Sequence, residues 1–139
     1  MTQNPRTPTS HRAAIHSPPQ TVDDAHDFLH TVWAQHPEVG SGDRMALETV
    51  LSELIANVIQ HNPDRRVLCE VELTVAADHL LLQTWDTGNP LPDPSSERSM
   101  PGESAESGRG LPLIHLLADE VDYSHQDGRN VWLVRRARR

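Results

Sequence analysis

Lysine is missing from this chain altogether: all twelve of its basic residues are arginine. That absence excludes a Walker A loop, whose lysine reaches the phosphates, and a protein-kinase fold, which needs a strand lysine. Schiff-base chemistry is excluded with them. A nucleotide, if one binds, must have its phosphates held by backbone amides, arginine and metal. There is one cysteine, Cys69, so an intrachain disulfide and a multi-cysteine zinc site are both ruled out. Cys69 lies in an apolar alternating stretch and is expected to be a small core or sheet residue. Apolar runs approaching the roughly 18–20 residues of a membrane helix are lacking. The polar, Pro/Thr-rich stretch Met1–Ser10 has no signal-like apolar segment, so a cytoplasmic location and no membrane partner are expected. Aromatic residues are only 4% of the chain, and Trp33, Trp85 and Trp132 read as core or dimer-interface residues. Net positive charge is also lacking: at −8, the balance disfavours nucleic acid as the main partner. Arg135, Arg136, Arg138 and Arg139 form a local exception that reads as a solvated basic tail, with contact to an acidic partner as the alternative.

What is present suffices for one domain: 139 residues, 36% of them hydrophobic. Residues 1–10 read as a disordered tail, 11–136 as the domain and 137–139 as the basic tail. An edge strand is expected over 11–17, ended by Pro18-Pro19. Helix signals cover 21–36, where Thr21 and Asp24 resemble a capping box, and 43–61, with Ser41 or Asp43 as cap. Val67, Cys69, Val71, Leu73 and Val75 alternate with more polar neighbours as a strand, and a second strand follows over 79–85. A long Pro/Ser/Glu-rich loop runs to residue 107, and loops of that length are usually functional or disordered. A short helix over 110–118 and a hairpin of 120–124 with 130–136, turning at Asp127-Gly128, close the chain. Strand, two helices, two strands, loop, helix, two strands does not alternate as a βαβ fold does. It predicts an α+β two-layer sandwich, a mostly antiparallel or mixed sheet with helices on one face.

Three polar clusters stand out against this frame. Glu53, Asn57 and His61 recur every fourth residue and share one stripe of the second helix, with apolar neighbours on both sides. They form either a helix edge open to water or a pocket wall, in which Asn57 is an oxygen ligand for a hard metal and Glu53 a base. Asp86-Thr87-Gly88 ends a strand; it is either a plain turn or a site where a carboxylate accepts from an exocyclic amine and Gly88 lets a flat ring approach. Gly108-Arg109-Gly110-Leu111 precedes a helix and is either a turn or an anion site of free amides at a helix N-terminus. One pocket, with base end, metal and phosphates in that chain order, accounts for all three. His26 and His30 have zinc-compatible spacing, but no third ligand is evident nearby.

Together the clusters resemble the N, G1 and G2 boxes of the GHKL (Bergerat-fold) ATP-binding domains. Ser52-Glu53-Leu54-Ile55-Ala56-Asn57 is similar to the N box, Trp85-Asp86-Thr87-Gly88-Asn89-Pro90 to G1, and Glu106-Ser107-Gly108-Arg109-Gly110-Leu111 to G2. The small size, the Gly-Arg-Gly-Leu before a Leu/Ile-rich helix and the closing stretch Gly128–Val134 most resemble the anti-sigma-factor serine kinase branch. That resemblance implies Mg²⁺ on Asn57, Glu53 as general base, Asp86 on the adenine amine and Gly88 shaping the base pocket. It implies Gly108, Gly110 and the adjoining Leu111 at the phosphates, Arg109 neutralising phosphate charge, and residues 91–107 as an ATP lid. The implied function is an ATP-binding anti-sigma factor and Ser/Thr kinase, often a homodimer. Its implied partners are a sigma factor and an anti-anti-sigma (STAS-type) protein. Two departures mark this chain: Asn89-Pro90 stands where many relatives carry a second glycine, and His61-Asn62-Pro63 replaces the usual His-Gly. They motivate the alternative of a non-catalytic partner-switching module that uses ATP as a structural ligand. A sensor histidine kinase or a topoisomerase is disfavoured by the chain length.

Overall fold

The computed structural model describes residues 7–91 and 112–139. The elements run β1 (Thr9–Ser17), α1 (Val22–Gln35), α2 (Ser41–Gln60), β2 (Val67–Val75), β3 (His79–Asp86), β4 (Glu120–Gln126) and β5 (Arg129–Ala137). Residues 112–117 are also helical. The strands form one sheet in the order β1-β2-β3-β5-β4, and all four pairings are antiparallel. With helices packed on it, this is the expected α+β architecture, and the choice between a mixed and an antiparallel sheet falls to the antiparallel among the described residues.

Local chemistry accounts for the elements. Thr21 and Asp24 form the reciprocal capping box that starts α1. Strict alternation puts Val67, Cys69, Val71, Leu73 and Val75 of β2 on the helix-covered face, with Leu80 and Leu82 of β3 beside them. Asp127 (φ 53°) and Gly128 (φ 76°) supply the two positive-φ residues of the β4–β5 turn, a geometry whose twist matches the flanking strands. Leu29 and Val32 of α1 and Leu47, Val50, Leu51, Leu54 and Ile55 of α2 fill the space between helices and sheet. Core leucines of this kind typically cost about 2–5 kcal/mol when cut to alanine.

Three expectations change. The strand β1 starts at Thr9, inside the segment expected to be a disordered tail, because β2 extends to Val75 and offers it partners; Ser10 Oγ lies 2.9 Å from Thr74 Oγ1. The helix α2 is entered through Gly40 without a side-chain cap, and neither Ser41 nor Asp43 serves as one. Asp43 is instead buried: its Oδ1 accepts from Arg136 Nε at 3.0 Å and its Oδ2 from the Arg139 backbone N–H at 3.0 Å. Of the C-terminal arginines, Arg136 is therefore docked rather than solvated and Arg138 is partly covered, while Arg139 stays exposed. The alternation of β5 aims Arg136 inward, where burial demands a carboxylate partner, and Arg136 Nη1 also donates to the Leu117 carbonyl at 2.7 Å. Arg138 donates to Ala76 O at 2.7 Å, and Arg139 pairs with Asp119 at 3.2 Å.

Candidate functional site

Along β3 the inner face is apolar through Leu80 and Leu82 until Thr84 and Asp86 replace aliphatic residues, and Asn130 of β5 joins them, all buried. The register sets Asp86 between Cys69 and Asn130. Asp86 Oδ1 accepts two hydrogen bonds of 2.9 Å, from the Gly88 N–H and from Asn130 Nδ2. The same Asn130 amide donates to Asn89 O at 3.0 Å and approaches Gly88 O at 3.3 Å. On its other side the Tyr123 hydroxyl donates to Asn130 Oδ1 and accepts from the Leu91 N–H at 3.0 Å. Burial pushes the Asp86 carboxyl above its usual range, against the opposing pull of the Asn130 and Gly88 hydrogen bonds and of His125 and His61. Cys69 beside it is pushed up as well, first by burial and then by the Asp86 and Glu70 carboxylates, and so stays an unreactive thiol.

The stripe on α2 faces this end of the sheet. Asn57 and His61 join Leu54, Val58, Asn62, Asp86, Asn89, Leu91, Asn130 and Trp132 around one narrow cleft with a free volume of about 10 Å³. Glu53 is half-buried one turn before Asn57 and is not among the residues lining this cleft. Trp132, expected in a core or an interface, is a core residue that also forms the cleft wall, packed on Tyr123 with ring centroids 4.9 Å apart. Trp33 is a core residue bonded to Glu48, while Trp85 lies on the outer sheet face under Arg12. His26, considered with His30 for zinc, hydrogen-bonds Ser52 Oγ at 2.7 Å.

The two motif departures turn out to bond to each other. Asn62 is buried; its Nδ2 donates to Val58 O at 2.8 Å, closing the end of α2, and its Oδ1 accepts the Asn89 N–H at 3.0 Å. Arg65 completes the clamp with 2.8 Å to Thr87 O and 3.0 Å to Asn89 Oδ1. Gly88 lies inside this clamp: a Cβ there would stand 2.6 Å from Asn62 Nδ2 and 2.9 Å from Asp86 Oδ1. The absent side chain is thus used first to let the protein close on itself.

Residues 15–135 match the model of the histidine kinase-like ATPase domain. The chain belongs to that family. As a GHKL-type domain it binds ATP, and the fold agrees: two nucleotide-free forms of the catalytic domain of histidine kinase ThkA superpose with TM-scores of 0.53 and 0.51. Both are 10% identical in sequence; each match covers 92% of this chain and 98% or 96% of the other. No match is found among curated proteins.

Of the family's boxes, the first two meet at the cleft through Asn57, Asp86 and Asn89, with Gly88 donating its N–H to Asp86 beside it. The third, with Gly108, Arg109, Gly110 and Leu111, lies outside the described residues, as does the expected lid beyond Leu91. Among the described residues no group of three or more His, Cys, Asp or Glu is arranged to hold a metal ion. Mg²⁺ keeps several waters and takes one or two protein oxygens plus substrate phosphates; the Asn57 side-chain oxygen would be one such donor. Four residues of the site escaped the sequence reading: Asn130, Tyr123, Asn62 and Arg65. A polar residue at an inward position of β5 was a readable signal for Asn130, and Asn62 announced itself only as a departure. Tyr123 sits in a strand whose alternation is weak.

Proposed function

We propose that this GHKL domain is an ATP-dependent Ser/Thr protein kinase of the anti-sigma type, which binds a sigma factor and phosphorylates an anti-anti-sigma (STAS-type) protein. The observation that carries this reading is the convergence of Asn57 and Asp86, from α2 and β3, on one cleft with Glu53 one turn along the same helix. Asp86 is the acceptor for the exocyclic amine of adenine. Asn57 would hold Mg²⁺, and Gly108, Gly110 and Arg109 would offer further contacts to the phosphates. Bound Mg·ATP supplies the phosphoryl group. Glu53 takes the proton from the target hydroxyl as that oxygen attacks, the role a positioned carboxylate plays in such transfers. The protein is placed in the cytoplasm and acts as a homodimer in this reading. The mutual bonding of Asn62, Asn89 and Arg65 supports an intact base site, which weakens the motive for a non-catalytic module.

Calorimetric titration with ATP, with and without Mg²⁺, tests the site. Binding that strengthens with Mg²⁺ and collapses in Asp86→Ala is expected. Glu53→Ala is expected to keep ATP binding and to lose transfer of labelled phosphate to a STAS-domain partner by a factor of about 10² or more. Undiminished transfer in that variant sinks the role of Glu53, and ATP binding without transfer to any such partner returns the non-catalytic module.

A further inference from the structure

The hydrogen bonds behind Asp86 run in a fixed direction, and that direction begins at a group that cannot reverse. The Leu91 backbone N–H can only donate, and it donates to the Tyr123 oxygen at 3.0 Å. The Tyr123 proton is directed to Asn130 Oδ1, a group that can only accept. With its oxygen engaged there, the Asn130 amide presents Nδ2 to Asp86 Oδ1 at 2.9 Å. The Gly88 N–H donates to the same oxygen at 2.9 Å. Asp86 Oδ1 is thereby filled by two donors, and Oδ2, which takes no bond among the described residues, is the oxygen that can accept from a ligand. No buried side-chain polar atom among the described residues lacks a partner, so no other arrangement of these groups is demanded elsewhere.

We infer that Tyr123, acting through Asn130, is a positioning residue that sets the base specificity of the cleft. It keeps the Asp86 carboxylate an acceptor in one orientation, which favours a ring bearing an amine and disfavours a ring bearing a carbonyl oxygen at that place. This rests on the cleft being the adenine site. Rotating the Asn130 amide by half a turn would set its oxygen against Asp86 Oδ1, Gly88 O and Asn89 O, four acceptors together. The tyrosine hydroxyl is the donor that holds the amide away from that state. Its ring packs on Trp132 and would stay there in a phenylalanine variant, so the hydroxyl can be removed without emptying the core.

The test compares affinities for ATP and for inosine triphosphate, which carries a carbonyl oxygen in place of the amine, in four full-length proteins: wild type, Tyr123→Phe, Asn130→Leu and the double variant. Tyr123→Phe is expected to lower the preference for ATP over inosine triphosphate about tenfold, in line with one lost hydrogen bond that supports a charged group. General loosening of the fold would weaken both ligands alike and leave that ratio in place. In the Asn130→Leu background the tyrosine change is expected to add nothing, because the tyrosine acts through the asparagine. A ratio unchanged in Tyr123→Phe, or an equal fall in both backgrounds, overturns the inference while leaving the adenine site standing. A wild-type protein that binds neither nucleotide defeats the adenine reading itself, and the inference with it.

Discussion

Two aspartates are buried under the helices, Asp43 at the start of α2 and Asp86 at the end of β3, and they are 2% and 1% exposed. Their surroundings differ in one respect. Asp43 has a guanidinium partner and a backbone N–H, one on each oxygen. Among the described residues, Asp86 is held by neutral donors alone, both on the same oxygen. A charge-paired buried carboxylate is complete and ties α2, β5 and the end of the 112–117 helix together through Arg136. A buried carboxylate without a cationic partner is incomplete, and its raised pKa is the sign of that. Burial by itself therefore does not separate structure from function here; the identity of the partner does.

The contrast can be broken at its structural end first. Asp43→Ala leaves the Arg136 guanidinium buried without its partner and is expected to cost about 3–5 kcal/mol, read as a lower urea midpoint. The folded fraction should still bind ATP as wild type does; an effect below about 1 kcal/mol would mean that this pair is not a tie between elements.

Asn62→Ala is expected to cost about 1–3 kcal/mol, since the Asn89 N–H and the Val58 carbonyl lose their partner. Nucleotide affinity should fall in the same variant, because the turn that presents Gly88 and Asp86 loosens; hydrogen exchange at Asn89 reports this directly. Unchanged exchange would show that Arg65 alone holds the turn.

Asp86→Asn sharpens the contrast with the smallest stability effect. The carbonyl of the new amide keeps the Gly88 and Asn130 bonds, while its NH₂ replaces the oxygen open to a ligand. Adenine nucleotide binding should fall by more than about a hundredfold, as expected where a donor meets a donor. Stability at neutral pH should match wild type or exceed it by about 1 kcal/mol. The sign follows from linkage: a carboxyl whose folded pKa is raised favours the folded state fully below its unfolded pKa, and this contribution is lost as pH rises through the folded value. The advantage of Asp86→Asn should accordingly shrink as the pH falls into the carboxylate range. Thermal melts across pH would show it, and an advantage that grew in acid would place the Asp86 pKa below its ordinary value.

Much of this molecule is legible without coordinates. The period-two pattern of Val67–Val75, the Thr21/Asp24 capping box and the Asp127-Gly128 turn are local signals, and each formed as read because neighbouring residues alone determine it. Glu53 and Asn57 share a helical stripe for the same reason. The spacing of the boxes was enough to suggest one pocket, since motifs in chain order leave a recognisable trace even without contacts.

What the chain order could not contain is which distant groups become partners. Asp43 read as a helix cap because capping is a local rule, yet its partners are Arg136 and Arg139 at the other end of the sequence. The C-terminal arginines read as solvated because charge density is a local quantity, whereas β5 turns one of them into the interior. Asn62 and Asn89 read as two separate departures, and only the packing of α2 against the end of β3 made them one feature. Sequence thus determined the elements, their faces and the nucleotide-binding motifs, all set by interactions a few residues long. The tertiary structure decided which buried polar groups are satisfied and which are left to meet a ligand, because hydrogen-bond partners in the interior are chosen by strand register and helix packing across the whole chain.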